Sequence, residues 1–234
     1  MAQPLRTVVV NPTAKHTATV IFLHGLGDSG VGWLFLTEAI APMLPHVKWV
    51  LPDAPMRPLE ANDNLPTPAW FNIPSFLKSA NVAKVDEQGM IDSVNAVNEL
   101  IEKEVRDTGI PSDRIVLGGF SQGCVIALLT GFLSKHKLAG VIGCSGWLGV
   151  LSIMEKNASD VNKGTPFLLC HGEEDLVVKP KYGQASAKYL NKVGHNATFK
   201  LYPGLGHAAG PNEIADIAAF LKEQLPPQPV KSKL

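Results

Sequence analysis

The chain has 234 residues, 45% of them hydrophobic, enough to bury one full core without help from disulfides or a metal. Lys+Arg and Asp+Glu are equal at 21 each, so no basic footprint points to nucleic acid or to an anionic membrane surface. The opening stretch from Met1 to Arg6 has no apolar core, and the apolar run from Val125 to Leu133 is halted by Lys135 and Lys137 before it could span a bilayer; the chain reads as soluble and intracellular.

Along the chain, apolar runs rich in β-branched residues alternate with amphipathic segments. This is the pattern of a mostly parallel sheet covered by helices on both faces, an α/β fold. The strand-like runs are Thr7 to Val10, Thr19 to Leu23, Lys48 to Leu51, Arg114 to Leu117, Leu138 to Ile142, Pro166 to Cys170 and Thr198 to Tyr202. Between Asp86 and Asp107, Met90, Val94, Val97, Ile101 and Val105 recur at steps of three or four, giving a helix with one apolar stripe. The last helix opens at Pro211, buries Ile214, Ile217, Leu221 and Leu225, and stops before Pro226-Pro227. One long stretch, Pro52 to about Lys84, reads as irregular. No repeat or linker divides the body, so the expected organisation is a single domain over residues 1–225 with no separate cap, followed by a flexible, Pro-containing tail over 226–234. Cys124, Cys144 and Cys170 lie in apolar contexts without regular spacing and read as buried, reduced thiols.

The pentapeptide Gly119-Phe120-Ser121-Gln122-Gly123 stands between a strand-like run and the helix-like run from Cys124 to Leu133. In such a turn the chain reverses so sharply that the serine is strained and its hydroxyl is lifted above the sheet edge, with only glycine fitting on either side. A nucleophilic serine needs a base and an orienting carboxylate, here in the chain order Ser, Asp or Glu, His. Asp175 follows the strand ending at Cys170 and His207 follows the strand ending at Tyr202, so Ser121, Asp175 and His207 all leave the carboxyl edge of the sheet, where ligands bind in open α/β folds. His195 competes as base but precedes its strand; Asp160 and Glu174 compete less well as the acid. His171 beside Glu173 and Glu174 lacks a second histidine at ligand spacing, so no metal site is expected, and a mechanism through Ser121, His207 and Asp175 needs no cofactor.

The segment His24-Gly25-Leu26-Gly27-Asp28-Ser29-Gly30 carries two readings. As G-x-G-x-x-G, with Asp53 after a second strand, it suggests a dinucleotide site whose helix begins near Ser29. No Tyr-x-x-x-Lys pair at Tyr182, Tyr189 or Tyr202 accompanies it. As a hydrolase loop, the same glycines bring the Leu26 N–H beside that of Gln122 to form an oxyanion hole, which also accounts for the elbow, Asp175 and His207. A catalytically dead hydrolase fold serving as a binding module is disfavoured by the intact set of three. Trp70, Phe71 and Ile73, in a run continuing to Leu77, are read as a wall or flap over a fatty chain, with Trp147, Leu148 and Leu176 completing the channel.

His24 to Gly30, Pro68-Ala69-Trp70-Phe71-Asn72-Ile73, Gly118 to Gly123, Ser145-Gly146-Trp147-Leu148, His171-Gly172 with Asp175, and Tyr202-Pro203-Gly204 with His207 together resemble the acyl-protein thioesterase and lysophospholipase family of serine hydrolases, over nearly the whole chain. The resemblance implies an α/β-hydrolase fold and removal of palmitoyl and related groups from S-acylated proteins, with activity on lysophospholipids and simple esters. It implies Ser121, Asp175 and His207 as the triad, the Leu26 and Gln122 amides as oxyanion hole, and no cofactor. Ala2 stands where some members carry an acylated cysteine, which bears on transient contact with a membrane surface. Cys124 and Ala208 stand where many relatives have Gly and Ser. The family's substrates imply a cytoplasmic, also nuclear, location. Ser232-Lys233-Leu234 matches a peroxisomal address and adds an expected second pool.

Overall fold

The computed structural model describes residues 4–74, 85–149, 153–154 and 158–228. Phe76, Leu77 and the terminal Ser232-Lys233-Leu234 lie outside them. Seven strands form one sheet in the order β1(Thr7–Val10), β3(Val47–Pro52), β2(Ala18–Leu23), β6(Ile115–Phe120), β7(Gly140–Cys144), β8(Pro166–Gly172), β9(Asn196–Tyr202). Only β1 runs antiparallel, against β3. The mostly parallel sheet expected from the sequence is the one observed, and all its strands were legible, with ends shifted by at most three residues.

The period of two along the buried strands divides the core. Ile21, Leu23, Ile115, Leu117, Phe167 and Leu169 face one side, against α2(Glu87–Thr108), α3(Gln122–Leu133) and α4(Pro180–Lys192). Val20, Phe22, Val116, Leu168 and Cys170 face the other, against α1(Leu34–Ile40) and α5(Pro211–Gln224). The long helix keeps the expected stripe, with Met90, Val94, Val97 and Ile101 buried. Asp86 caps its start by accepting the Gly89 N–H, and Gly109 at φ 72° ends it in the left-handed conformation. Val125 to Leu129 are buried all round because α3 runs through the middle of its layer.

The stretch from Pro52 to Lys84 is not wholly irregular. It holds a hairpin, β4(Met56–Leu59) and β5(Leu65–Pro68), joined through Asp63 and Asn64 at φ 50° and 60°. Prolines at 58 and 66 face each other in this two-stranded ribbon, a place that tolerates them because every strand in it is an edge. Among the described residues no helix is long and apolar enough to cross a membrane.

Candidate active site

Between β6 and α3 the chain turns at Ser121, whose φ of 54° and ψ of −115° fall in a region that side chains other than glycine's avoid. The flanking glycines are required by space: a Cβ on Gly119 would lie 2.3 Å from the Gly123 carbonyl oxygen, and one on Gly123 would lie 2.2 Å from that of Leu23. Ser121 N–H donates to the Cys144 carbonyl at 2.9 Å, pinning the turn to β7. Cys124, one turn into α3, packs its sulfur where Gly143 and Gly146 leave room, since a Cβ at either would come within 2.8 Å or 2.6 Å of it. This gives the cysteine at that position its structural setting.

Asp175 follows β8 and is almost wholly buried. Its Oδ1 accepts the Val177 N–H at 2.9 Å and the Val178 N–H at 2.8 Å, so the loop's own backbone fixes the carboxylate. Its Oδ2 is 2.7 Å from His207 Nδ1. A carboxylate oxygen only accepts, so Nδ1 donates and Nε2 is left with its lone pair toward Ser121 Oγ, 3.0 Å away. The imidazole also packs on the Phe120 ring at 4.8 Å between centroids and is partly open to solvent. Three loops from the carboxyl ends of β6, β8 and β9 therefore meet in one hydrogen-bonded string.

The loop after β2 lies against the elbow: a Cβ on Gly25 would be 3.4 Å from Ser121 Cβ. His24 holds this loop. Its Nδ1 donates to the Gly25 carbonyl at 2.6 Å and its Nε2 accepts the Ala54 N–H at 2.9 Å, which fixes a neutral ring, and burial lowers its pKa further. Gly27, at φ 76°, donates to the Pro68 carbonyl at 2.9 Å, tying Leu26 between the elbow and the β4–β5 hairpin. Asp53, the residue that imitated a ribose-binding acid, accepts the Gly30 N–H at 2.7 Å. Gly30 is needed because a Cβ there would strike the Leu51 carbonyl oxygen at 2.3 Å. The G-x-G-x-x-G spacing is thus accounted for by packing of the chain on itself. A 3-10 turn and then α1 begin after Gly30, close to the start expected at Ser29.

The residues expected along a fatty chain separate into two groups. Trp70 and Phe71 are core, not flap. Trp70 donates its ring N–H to the His24 carbonyl at 2.8 Å, and the Gln122 side chain clamps the Trp70 N–H at 3.0 Å and the Phe71 carbonyl at 2.8 Å. Leu148 is also buried, its N–H bonded to Ser186 Oγ at 2.8 Å. Trp147 and Ile73 are partly buried, with Trp147 edge-on to Phe71 at 6.4 Å. Leu176 is 80% exposed and Val177 70%, directly beside Asp175.

The competing candidates lie elsewhere. His195 is at the start of β9, a strand of seven residues away from His207, buried against Phe132 and Phe167. Asp160 pairs with Lys163. Glu174 is exposed on the loop. Among the described residues, Cys144, Cys170 and Glu213 form a group of metal-ligating type away from the string, their ligand atoms all within 4.8 Å of one another. The hydrogen bond with Cys170 and then burial push the Cys144 thiol well above its ordinary range. His171, dismissed from the sequence for want of a metal partner, instead stands 3.3 Å from Asp175 Oδ2. Its neighbourhood to Asp175 across a tight loop was the signal available.

The family model described as phospholipase/carboxylesterase matches residues 5–225. Acyl-protein thioesterase 1 of Yarrowia lipolytica is 41% identical over 226 residues, covering 95% of this chain and 98% of that protein. Acyl-protein thioesterase 1 of Schizosaccharomyces pombe is 45% identical over 190 residues, 81% of this chain and 83% of the relative. Among solved structures, Arabidopsis thaliana SOBER1 superposes with a TM-score of 0.81 at 30% identity, covering 89% of this chain and 99% of that one. Zea mays acyl-protein thioesterase 2 gives 0.80 at 33%, covering 94% and 99%. The chain belongs to the phospholipase/carboxylesterase family, enzymes with the α/β-hydrolase fold that hydrolyse ester and thioester bonds.

Proposed function

We propose that this enzyme removes fatty acyl groups, palmitoyl among them, from S-acylated cysteines of proteins, with lysophospholipase and carboxylesterase activity at the same site, through Ser121, His207 and Asp175. The observation that carries the reading is the string Ser121 Oγ, His207 Nε2, His207 Nδ1, Asp175 Oδ2, with contacts of 3.0 Å and 2.7 Å. His207 takes the Ser121 proton as Oγ attacks the acyl carbonyl. The oxyanion is held by the N–H groups of Gln122, at the first turn of α3, and Leu26. The C–S or C–O bond breaks, and His207 hands its proton to the departing thiol or alcohol. Water, activated by the same histidine, then attacks the Ser121 ester and releases the fatty acid. Asp175, fixed by two backbone N–H groups, keeps the imidazole in the tautomer that can accept from Ser121.

The exposed side chains Leu176 and Val177, with Trp147 and Ile73 at the margin of the core, support an open apolar path for the chain leading to Ser121. The names of the relatives support acylated proteins as substrates. Such substrates sit on cytosolic membrane faces, so we place the enzyme in the cytoplasm, in transient contact with membrane surfaces. Turnover of a palmitoyl-cysteine peptide and of a lysophosphatidylcholine, measured side by side for wild type and Ser121→Ala, tests the proposal. Both activities should be present and both should vanish in the variant. Lysolipid turnover without peptide turnover would remove the thioesterase assignment.

A further inference from the structure

His171 is the penultimate residue of β8, four residues before Asp175, and is 1% exposed. Nε2 is 2.8 Å from the Val178 carbonyl oxygen and 3.3 Å from Asp175 Oδ2. Both neighbours are acceptors only, so Nε2 carries a proton. On the far side of the ring Nδ1 is buried without a hydrogen-bond partner among the described residues and faces α4, where a Cβ on Gly183 would lie 2.6 Å from it. A second ring proton would have no acceptor there. Burial also lowers the pKa of this imidazole, with Asp175 acting against that and His207 with it. β9 contributes the uncharged Phe199 ring, at 6.5 Å. The ring is therefore neutral, in a single tautomer, with its one N–H given to the Val178 carbonyl and Asp175 Oδ2 close beside it.

We infer that His171 is a positioning residue for the acid and base of this site, its Nε2–H fixing the orientation in which Asp175 meets His207. Val178 is gripped through both its backbone polar groups: its N–H donates to Asp175 Oδ1 at 2.8 Å and its carbonyl accepts from His171 at 2.8 Å. Without His171 the Val178 carbonyl loses its donor and Oδ2 loses the N–H 3.3 Å away, so the loop that orients Asp175 loosens and the carboxylate and imidazole turn together. Gly183 belongs to the same device, since a side chain there would occupy the space of the ring. The inference rests on the assignment of Ser121, His207 and Asp175 made above.

The test compares His171→Leu, His171→Asn and His171→Gln in the full chain, with active sites counted by fluorophosphonate titration so that kcat refers to folded enzyme. The Gln amide nitrogen can reach the place of Nε2, whereas that of Asn falls near Nδ1. Leu and Asn should each lose on the order of 10-fold to 100-fold in kcat with KM nearly unchanged, the size of effect expected from a small misplacement of a catalytic group. Gln should recover most of the loss. The low-field proton resonance of His207 Nδ1–H should move in Leu and Asn and return in Gln. Gln as impaired as Leu, or Leu with wild-type kcat, would overturn the inference. Asp175→Asn at wild-type rate would instead overturn the assignment beneath it, so the two failures are distinguishable.

Discussion

Two hydrogen-bonded strings of histidine, hydroxyl and carboxylate cross this molecule, one at each end of the sheet, and only one is arranged for chemistry. At the carboxyl end the imidazole of His207 stands between Asp175 and Ser121. At the amino end the hydroxyl of Thr19 stands in the middle, donating to Glu104 Oε1 at 2.8 Å with His16 Nε2 at 2.9 Å. The Thr19 hydroxyl has one proton and gives it to Glu104, so His16 donates to this oxygen and is not its base. Lys48 further neutralises Glu104, its Nζ 2.6 Å from Oε2. Thr19 sits in regular strand, fully buried, while Ser121 sits at φ 54°. The same side-chain types make a structural clamp in one place and a reactive string in the other, and order along the string decides which.

The largest expected effect follows from that order. Ser121→Ala and His207→Ala should each lose on the order of 10⁴-fold or more in kcat, because members of such a set act as a unit. His16→Ala should leave kcat near wild type, and Thr19→Val should cost about 1–3 kcal/mol of stability without loss of rate per folded enzyme. A rate collapse in the amino-end variants would erase the distinction. Next, Trp70→Ala should lower stability by about 3–5 kcal/mol, measured by denaturant unfolding, and should affect short and long acyl substrates alike, as befits a core residue. A loss confined to long chains would return Trp70 to the acyl path.

The two ends differ as well in how they hold a buried acid. Glu104 has the cationic Lys48; Glu213, at the start of α5, has the Gly210 N–H and the uncharged Cys144 thiol, and burial pushes its pKa up to about 7. Its folded-state value is therefore raised above the unfolded one. The stabilising contribution of the protonated form is full below about pH 4.5 and is lost as the pH rises through about 7. Glu213→Gln should remove that slope and leave the protein more stable than wild type at pH 8, by roughly 1–3 kcal/mol. A parallel pH profile for the two proteins would contradict it. The smallest effect is expected at the exposed Leu176: Leu176→Ser should cut turnover of long-chain esters by about 1 kcal/mol or less and leave butyryl esters unchanged. Equal losses on both would take Leu176 off the path.

The sheet and the string of three were legible because each rests on local pattern. β-branched runs mark β2 and β6, the apolar Phe167-Leu168-Leu169-Cys170 marks β8, and each candidate residue follows its strand within five residues. The β4–β5 hairpin was not, because prolines at 55, 58, 66 and 68 argue against strands, and only Asn62-Asp63-Asn64 hinted at a turn. Trp70 and Phe71 read as a wall or flap, and their burial was not legible because it is set by His24 and Gln122, distant in the chain. Asp53 and Gly30 imitated a dinucleotide motif for a similar reason: the contact that explains them spans two strands. The partnership of His171 with Asp175 needed the loop's closure, which no periodicity encodes.

The central claim, that Ser121 is the atom to which the acyl group is transferred, is tested most directly by trapping. Enzyme mixed with a palmitoyl thioester and quenched in acid within the first turnover should carry one palmitoyl group, and peptide mass spectrometry should place it on Ser121. His207→Ala should carry none. An acyl group found on Cys124, Cys144 or Cys170, or steady turnover with no covalent adduct on Ser121, would contradict the account.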